Sequence, residues 1–297
     1  MIIIKLLFIY NPRAGKSRIK NYLADILDVF AESGYEITAF PTRAGGDARK
    51  AAENISDEYD LLVVSGGDGT LDEAVSGIMI GRKNIPIGYI PAGSTNDFGR
   101  SLKLPRSMVK AAQIAVSGRD MTCDIGLFNK SYFVYVAAFG LFTDVTYETP
   151  QKEKNKLGYL AYLLESIKRL SDIKTYKMRI SHEGGSYEGE FLAGLISNSN
   201  SVGGIKKLTG PHVSLEDGLF EVMLIRVPPT IVELNEALAA VVDRRLKSDY
   251  VITFPAQKIE VVCDCDVSWT LDGEYGGTVR EANIAVLPKA LNIRNLK

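Results

Sequence analysis

The segment VVSGGDGTLDEAV (63–75) constrains this chain more than any other. DLLVVS (60–65) is almost wholly apolar and reads as a strand covered on both faces, as in a parallel sheet. It runs into Gly66, Gly67, Asp68, Gly69 and Thr70, and a helical pattern follows through Leu71 and Asp72. Glycines permit positive φ and a close approach of backbone to a ligand. The free amides at a helix start suit an anion. A tight strand-to-helix turn needs fewer than three glycines in five positions, so the loop reads as a phosphate cradle. Two familiar templates do not fit it. A dinucleotide fingerprint requires glycine where Asp72 stands, and a Walker A loop ending in AGKS (14–17) requires glycine at Tyr10. Thr70 and Glu73 have capping-box spacing, which predicts a helix starting at Thr70.

The flanking sequence repeats this strand-then-helix pattern. Strands are predicted over 2–10, 35–42 and 85–91, and helices over 18–33, 47–55 and 107–117. Such alternation implies an α/β domain with an open, doubly wound sheet. NPRAGKS (11–17) and IPAGSTNDF (90–98) also follow strands. Ligands of open α/β sheets bind beyond the carboxyl ends of the strands, so three polar loops there converge on one ligand. Thr42 ends the second strand and offers a hydroxyl.

After about residue 125 the character changes to alternating β segments separated by Gly, Pro and Asn turns, which implies an antiparallel sandwich-like domain. Helical stretches interrupt it near 154–171 and 230–246. The expected division is 1–125 for the α/β domain and 126–284 for the β-rich domain. The tail, 285–297, is a candidate to return to the first.

Charge excludes some functions. With 35 Lys+Arg against 36 Asp+Glu in 297 residues, the chain lacks the basic footprint of a nucleic-acid binder. Its three cysteines, Cys123, Cys263 and Cys265, are an odd count and do not make a secreted disulfide framework. Cys263 and Cys265 read as buried strand residues. No run reaches the ~18 apolar residues of a membrane span. Lys5 interrupts the apolar start, which reads as a strand and not as a leader. The expectation is a cytoplasmic protein.

The NPxxGK, GGDGT and PxGSTNDF elements, in this order and spacing, resemble the diacylglycerol kinase catalytic domain family, in particular its soluble bacterial lipid kinases. The GGDGT loop is also similar to that of NAD kinases and, more distantly, 6-phosphofructokinases. The likeness continues through EDGLFEV (216–222) and LDGEYGG (271–277), and so covers nearly the whole chain. The resemblance implies ATP bound across the first domain and phosphorylation of a lipid hydroxyl, diacylglycerol giving phosphatidate, in a cleft between two domains. It implies nucleotide contacts from Asn11, Pro12, Arg13, Ala14 and Gly15, from Thr42, from Gly66 through Asp72, and from Thr95. Lys16 reads either as a charge beside phosphate or as a solvated side chain.

Phosphoryl transfer needs alignment, charge neutralisation and a destination for the alcohol's proton. The resemblance points to LDGE for the base, with Glu274 the first candidate, Asp272 the second and Asp68 assisting. In an extended segment, residues two apart share a face. A hairpin tip gives the same Asp-Gly signal. Magnesium is expected with ATP, and the resemblance implies a second, structural Mg²⁺ held by Ser214, Asp217 and Leu219. That ion would be linked through water to Asp68, with Asp124 joining the network. His182 and His212 lie outside the motifs. Lipid access implies transient peripheral contact with the inner face of the membrane. Residues 152–170 read as a core helix with Lys152, Lys154 and Lys156 near headgroups, and a homodimer is compatible. Other readings keep the fold but change the acceptor to a sphingoid base, phosphatidylglycerol or NAD, or make the protein a non-catalytic sensor.

Overall fold

The structure, a computed structural model, describes residues 3–141, 174–199, 201–202, 205–206, 213–242 and 248–296. The helix expected at 154–171, its three lysines and His212 lie outside the described residues, as does the end of the stretch 230–246. The chain divides into two compact units, Met1–Ile125 with Pro288–Lys297, and Gly126–Leu287.

The first unit runs β1 (Ile4–Tyr10), a 3-10 turn (Arg18–Asn21), α1 (Leu23–Glu32), β2 (Tyr35–Pro41), α2 (Asp47–Glu53), β3 (Leu61–Gly66), α3 (Asp68–Gly81), β4 (Ile87–Pro91), α4 (Asp97–Ser101) and α5 (Met108–Ser117). β5 (Arg119–Phe128) then leads out of it. The strands lie in the order β4-β3-β1-β2, all parallel. Helices α1 and α5 pack together, as do α2 and α3. Every residue of β3 is buried, as the apolar run demanded. The core gathers Phe8, Ile26, Phe30, Val63, Ile90 and Ala112, with Phe8 and Phe30 edge to face at 5.2 Å.

Two local expectations are corrected. The helix predicted from residue 18 is a single 3-10 turn before α1, because Ser17 adopts φ 55° and the amides of Lys20 and Tyr22 reach back only three residues. The capping box does not form. α3 begins at Asp68, and the Glu73 carboxylate accepts the N–H groups of Gly46 (2.8 Å) and Ala48 (3.2 Å). Glu73 therefore satisfies amides at the start of α2, not of its own helix.

The second unit contains β6 (Ser131–Phe133), β7 (Val136–Gly140), β8 (Tyr176–His182), β9 (Gly185–Ser197), β10 (Ser201–Val202), β11 (Ile205–Lys206), β12 (Phe220–Arg226), α6 (Ile231–Val242), β13 (Val251–Ala256), β14 (Lys258–Leu271) and most of β15 (Glu274–Asn295). Its main order is β13-β12-β9-β7-β14-β15, antiparallel throughout, and β8 pairs with β14 and β9. Alternation is plain in β8, where Tyr176, Met178 and Ile180 are buried and Lys177 and Arg179 exposed. Trp269 centres the core between the rings of Phe128 (5.0 Å) and Phe139 (4.9 Å). The last residues of β15 rejoin the first unit, where Ile293 pairs in parallel with Ile87 of β4.

Candidate active site

In the first unit the three loops are tied to one another by named bonds. Asn11 follows β1 and does most of the joining. Its N–H donates to the Ser65 carbonyl (2.8 Å) at the end of β3. Its Oδ1 accepts from the Arg13 amide (2.9 Å), shaping the Asn-Pro turn, and its Nδ2 donates to Thr70 Oγ1 (3.2 Å) in the first turn of α3. The Thr42 amide donates to the Tyr10 carbonyl (2.9 Å), which holds the end of β2 beside the same loop.

The third loop closes on the second through glycine. A Cβ on Gly93 would stand 2.5 Å from Gly67 Cα, and one on Gly15, at φ +56°, would stand 2.5 Å from the Ala92 carbonyl oxygen. Only glycine allows backbone to meet backbone this closely. The Ala92 amide donates to the Gly66 carbonyl (2.7 Å), and the Tyr89 hydroxyl reaches the same oxygen (3.2 Å). Asn96, at φ 52°, accepts from the Gly93 amide and donates to the Gly93 carbonyl, each at 2.9 Å. Thr95 sits within this clasp.

Asp68 accepts from the Phe98 amide (3.3 Å) at the start of α4, and Asp97 beside it is buried. Burial pushes the Tyr89 phenol well above its ordinary range, and the charges of Asp68 and Asp97 raise it further, so Tyr89 stays a neutral donor. Gly15, Lys16, Arg18, Thr95, Arg100 and Arg106 help to line a cavity of about 600 Å³. Its described lining has four cations and no carboxylate. Sequence reading did not single out Asp97, Tyr89, Arg18, Arg100 or Arg106. The signal available was spacing, since Arg100 lies one helical turn beyond Asn96.

In the second unit, Asp272 and Gly273 form the two-residue turn of the β14–β15 hairpin, with Leu271 paired to Glu274 and φ values of 51° and 90°. Positive φ at both central positions is the turn that Asp-Gly favours. The expectation that Asp272 and Glu274 share a strand face is therefore corrected, because Asp272 is in the turn and Glu274 begins β15. The buried Asp272 carboxylate accepts the amide of Val134, and those of Tyr135 and Val136 at 2.9 Å each, while its own amide donates to the Val136 carbonyl (2.8 Å). A carboxylate so engaged anchors the hairpin. The exposed Glu274 is the group of LDGE left facing solvent.

Among the residues expected to hold a structural cation, Asp217 Oδ1 accepts the Leu219 amide (3.1 Å) and Ser214 Oγ accepts the Glu216 amide (3.3 Å). Glu221, two residues on, has an Oε2 that is buried without a partner. Burial first, and the negative charge of Asp217 second, push its carboxyl up to about 7. An all-oxygen donor set with an unpartnered buried acid oxygen fits a hard divalent cation. Asp124 belongs to the first unit, where it is fully buried and accepts the Lys289 amide (2.7 Å) as the chain returns. Among the described residues no three His, Cys, Asp or Glu side chains gather as a metal cluster, and no helix is long and apolar enough to cross a membrane.

Residues 5–128 match the diacylglycerol kinase catalytic domain, and residues 138–295 match the YegS C-terminal NAD kinase beta sandwich-like domain. The chain is 36% identical to a diacylglycerol kinase of Bacillus subtilis over 91% of its own length and 89% of the relative's. It is 36% identical to a diacylglycerol kinase of Staphylococcus aureus (strain MRSA252) over 96% and 90%. The crystal structure of a diacylglycerol kinase from Bacillus anthracis superposes with a TM-score of 0.77 at 21% identity, covering 99% of this chain and 98% of that one, which shows the shared fold. The chain belongs to the diacylglycerol kinase catalytic domain family and is a lipid kinase.

Proposed function

We propose that the protein transfers the γ-phosphoryl group of ATP to the free hydroxyl of diacylglycerol, giving phosphatidate, at the inner face of the membrane where that lipid resides. The observation that carries this reading is the glycine-closed clasp of Gly15, Gly67 and Gly93, with backbone brought against backbone at the ends of β1, β3 and β4. It stands in a chain whose relatives along nearly its full length are named diacylglycerol kinases. Phosphoryl transfer leaves little covalent chemistry to the protein. Amides of Asn11–Gly15 and Gly66–Asp72, with Thr42 and Thr95, orient the polyphosphate. Lys16 and the neighbouring cations offset its charge. Glu274 takes the proton of the acceptor hydroxyl, which makes that oxygen nucleophilic as the bond to phosphorus forms. Asp272 fixes the turn from which Glu274 projects.

Magnesium belongs to this reading. When bound, it offsets charge on the phosphate oxygens. At the structural site Ser214, Asp217 and Leu219 would hold it, with the Glu221 oxygen available. The test is an acceptor competition: purified protein with Mg-ATP and mixed micelles offering diacylglycerol, a sphingoid base and phosphatidylglycerol, with NAD in solution. Label is expected on diacylglycerol. Preferential labelling of another acceptor replaces the substrate, and nucleotide binding without turnover on any of them removes the catalytic reading.

A further inference from the structure

Cys263 and Cys265 lie in β14 of the second unit, and no role given above uses them. Their sulfurs are 3.7 Å apart. Cys263 is buried and donates its S–H to the Lys177 carbonyl (3.3 Å), whereas Cys265 is half-buried. Arg280 is close enough for both sulfurs to act on its charge, and it pairs with Asp266 at 2.9 Å. The half-buried Cys265 is the member of the pair that a small solute can reach.

The backbone also suits closure. Residues two apart on a strand are about 6.6 Å apart, at the upper end of the roughly 4.4–6.8 Å that a disulfide spans between Cα atoms. The β14–β15 register shifts between Val262 and Val267, so 263–266 are not held by a continuous ladder on that side. On the other side the β8 ladder ends at Cys263, paired with Met178, so Cys265 lies outside it and can draw toward Cys263.

We propose that Cys263 and Cys265 form a redox-active dithiol that closes to an intramolecular disulfide by exchange with a low-molecular-weight disulfide. The Cys265 thiolate attacks one sulfur of the oxidant, forming a mixed disulfide and releasing one thiolate. Cys263 loses its proton to solvent and attacks the Cys265 sulfur, expelling the second thiol. Two protein thiols are oxidised and one external disulfide is reduced to two thiols. Burial raises the Cys263 pKa, so the second step speeds up as pH rises.

The test treats the reduced, native full chain with graded ratios of oxidised to reduced glutathione, followed by alkylation and mass spectrometry. The expected product is two hydrogens lighter, retains one alkylatable thiol at Cys123, carries the link within 259–280 and reverts with dithiothreitol. Cys263→Ser should stop at the mixed disulfide, Cys265→Ser should give no lighter species, and Cys123→Ser should behave as wild type. Three thiols still free at every ratio would overturn the proposal. So would a lighter product that persists in Cys265→Ser, the milder of the two pair variants because its side chain is half-exposed.

Discussion

The two units present their candidate site residues in opposite ways. In the first, the candidate loops meet backbone to backbone, and side chains such as Asn11, Asn96 and Tyr89 serve to fasten one loop to the next. In the second, an exposed carboxylate, Glu274, stands at the head of a strand, and the buried carboxylate two residues before it holds the turn. On the function proposed above, polyphosphate binding is spread over many amides, while proton transfer is concentrated in one atom pair. Single side-chain changes should therefore act steeply in the second unit and shallowly in the first, unless they add bulk.

The largest effect is expected from Glu274→Gln. A positioned general base contributes about 10²–10⁴ in rate, so kcat with diacylglycerol should fall within that span. The ATP KM and the thermal midpoint should stay near wild type, because the side chain is exposed and its removal leaves no buried group unpaired. Activity within a few-fold of wild type would take proton transfer away from Glu274 and dissolve the contrast.

Asp272→Ala should come next and act differently. It strands three amides that the carboxylate now satisfies. Leaving buried donors unpaired costs about 1–3 kcal/mol, so urea denaturation should show a loss of that order. The accompanying fall in kcat should be smaller than in Glu274→Gln and recovered in part by Asp272→Asn, which keeps two acceptor positions. A kcat loss equal to that of Glu274→Gln with unchanged stability would make Asp272 a participant in the chemistry.

Gly93→Ala sharpens the other side of the comparison. Its Cβ would meet Gly67 Cα at 2.5 Å, backbone that cannot swing aside. Overpacking of this kind costs about 1–3 kcal/mol, and displacing the clasp should weaken binding of a fluorescent ATP analogue by roughly tenfold. Nucleotide affinity that does not change would mean that this contact does not shape the phosphate loop.

The same contrast explains what the sequence made legible. β3 and its glycines were readable because a strand buried on both faces is apolar throughout and the loop chemistry is local. The role of Glu73 was not, because its spacing with Thr70 is that of a capping box, and only tertiary packing carries its carboxylate across to Gly46 and Ala48. β15 passed unread for a similar reason. Gly276, Gly277 and Pro288 look like breaks in sequence, yet the register shift between Trp269 and Thr270 absorbs Gly276 within the hairpin and Gly277 pairs with Trp269. LDGE was legible as a motif, but the division of labour between its acids was not. It depends on amides at Val134–Val136, well over a hundred residues away.

The smallest effect concerns a half-buried acid in the β-rich unit, Glu221, and it contrasts with Asp272. There the carboxylate has its donors, whereas Glu221 is left with a buried, unpartnered Oε2. Burial and the nearby Asp217 raise its folded pKa from 4.5 to about 7. A carboxyl whose folded pKa is raised binds its proton more tightly when folded. Its contribution to stability is complete below about 4.5 and is lost as pH rises through about 7. In chelator, the wild-type melting temperature should therefore decline across that window. Glu221→Gln, which keeps the shape without the charge, should flatten the decline and melt above wild type on the alkaline side. Parallel melting curves for the two proteins would mean that Glu221 is solvated well enough to ionise freely, and the distinction between a carboxylate with its donors and one with an unpartnered buried oxygen would then fail at this position.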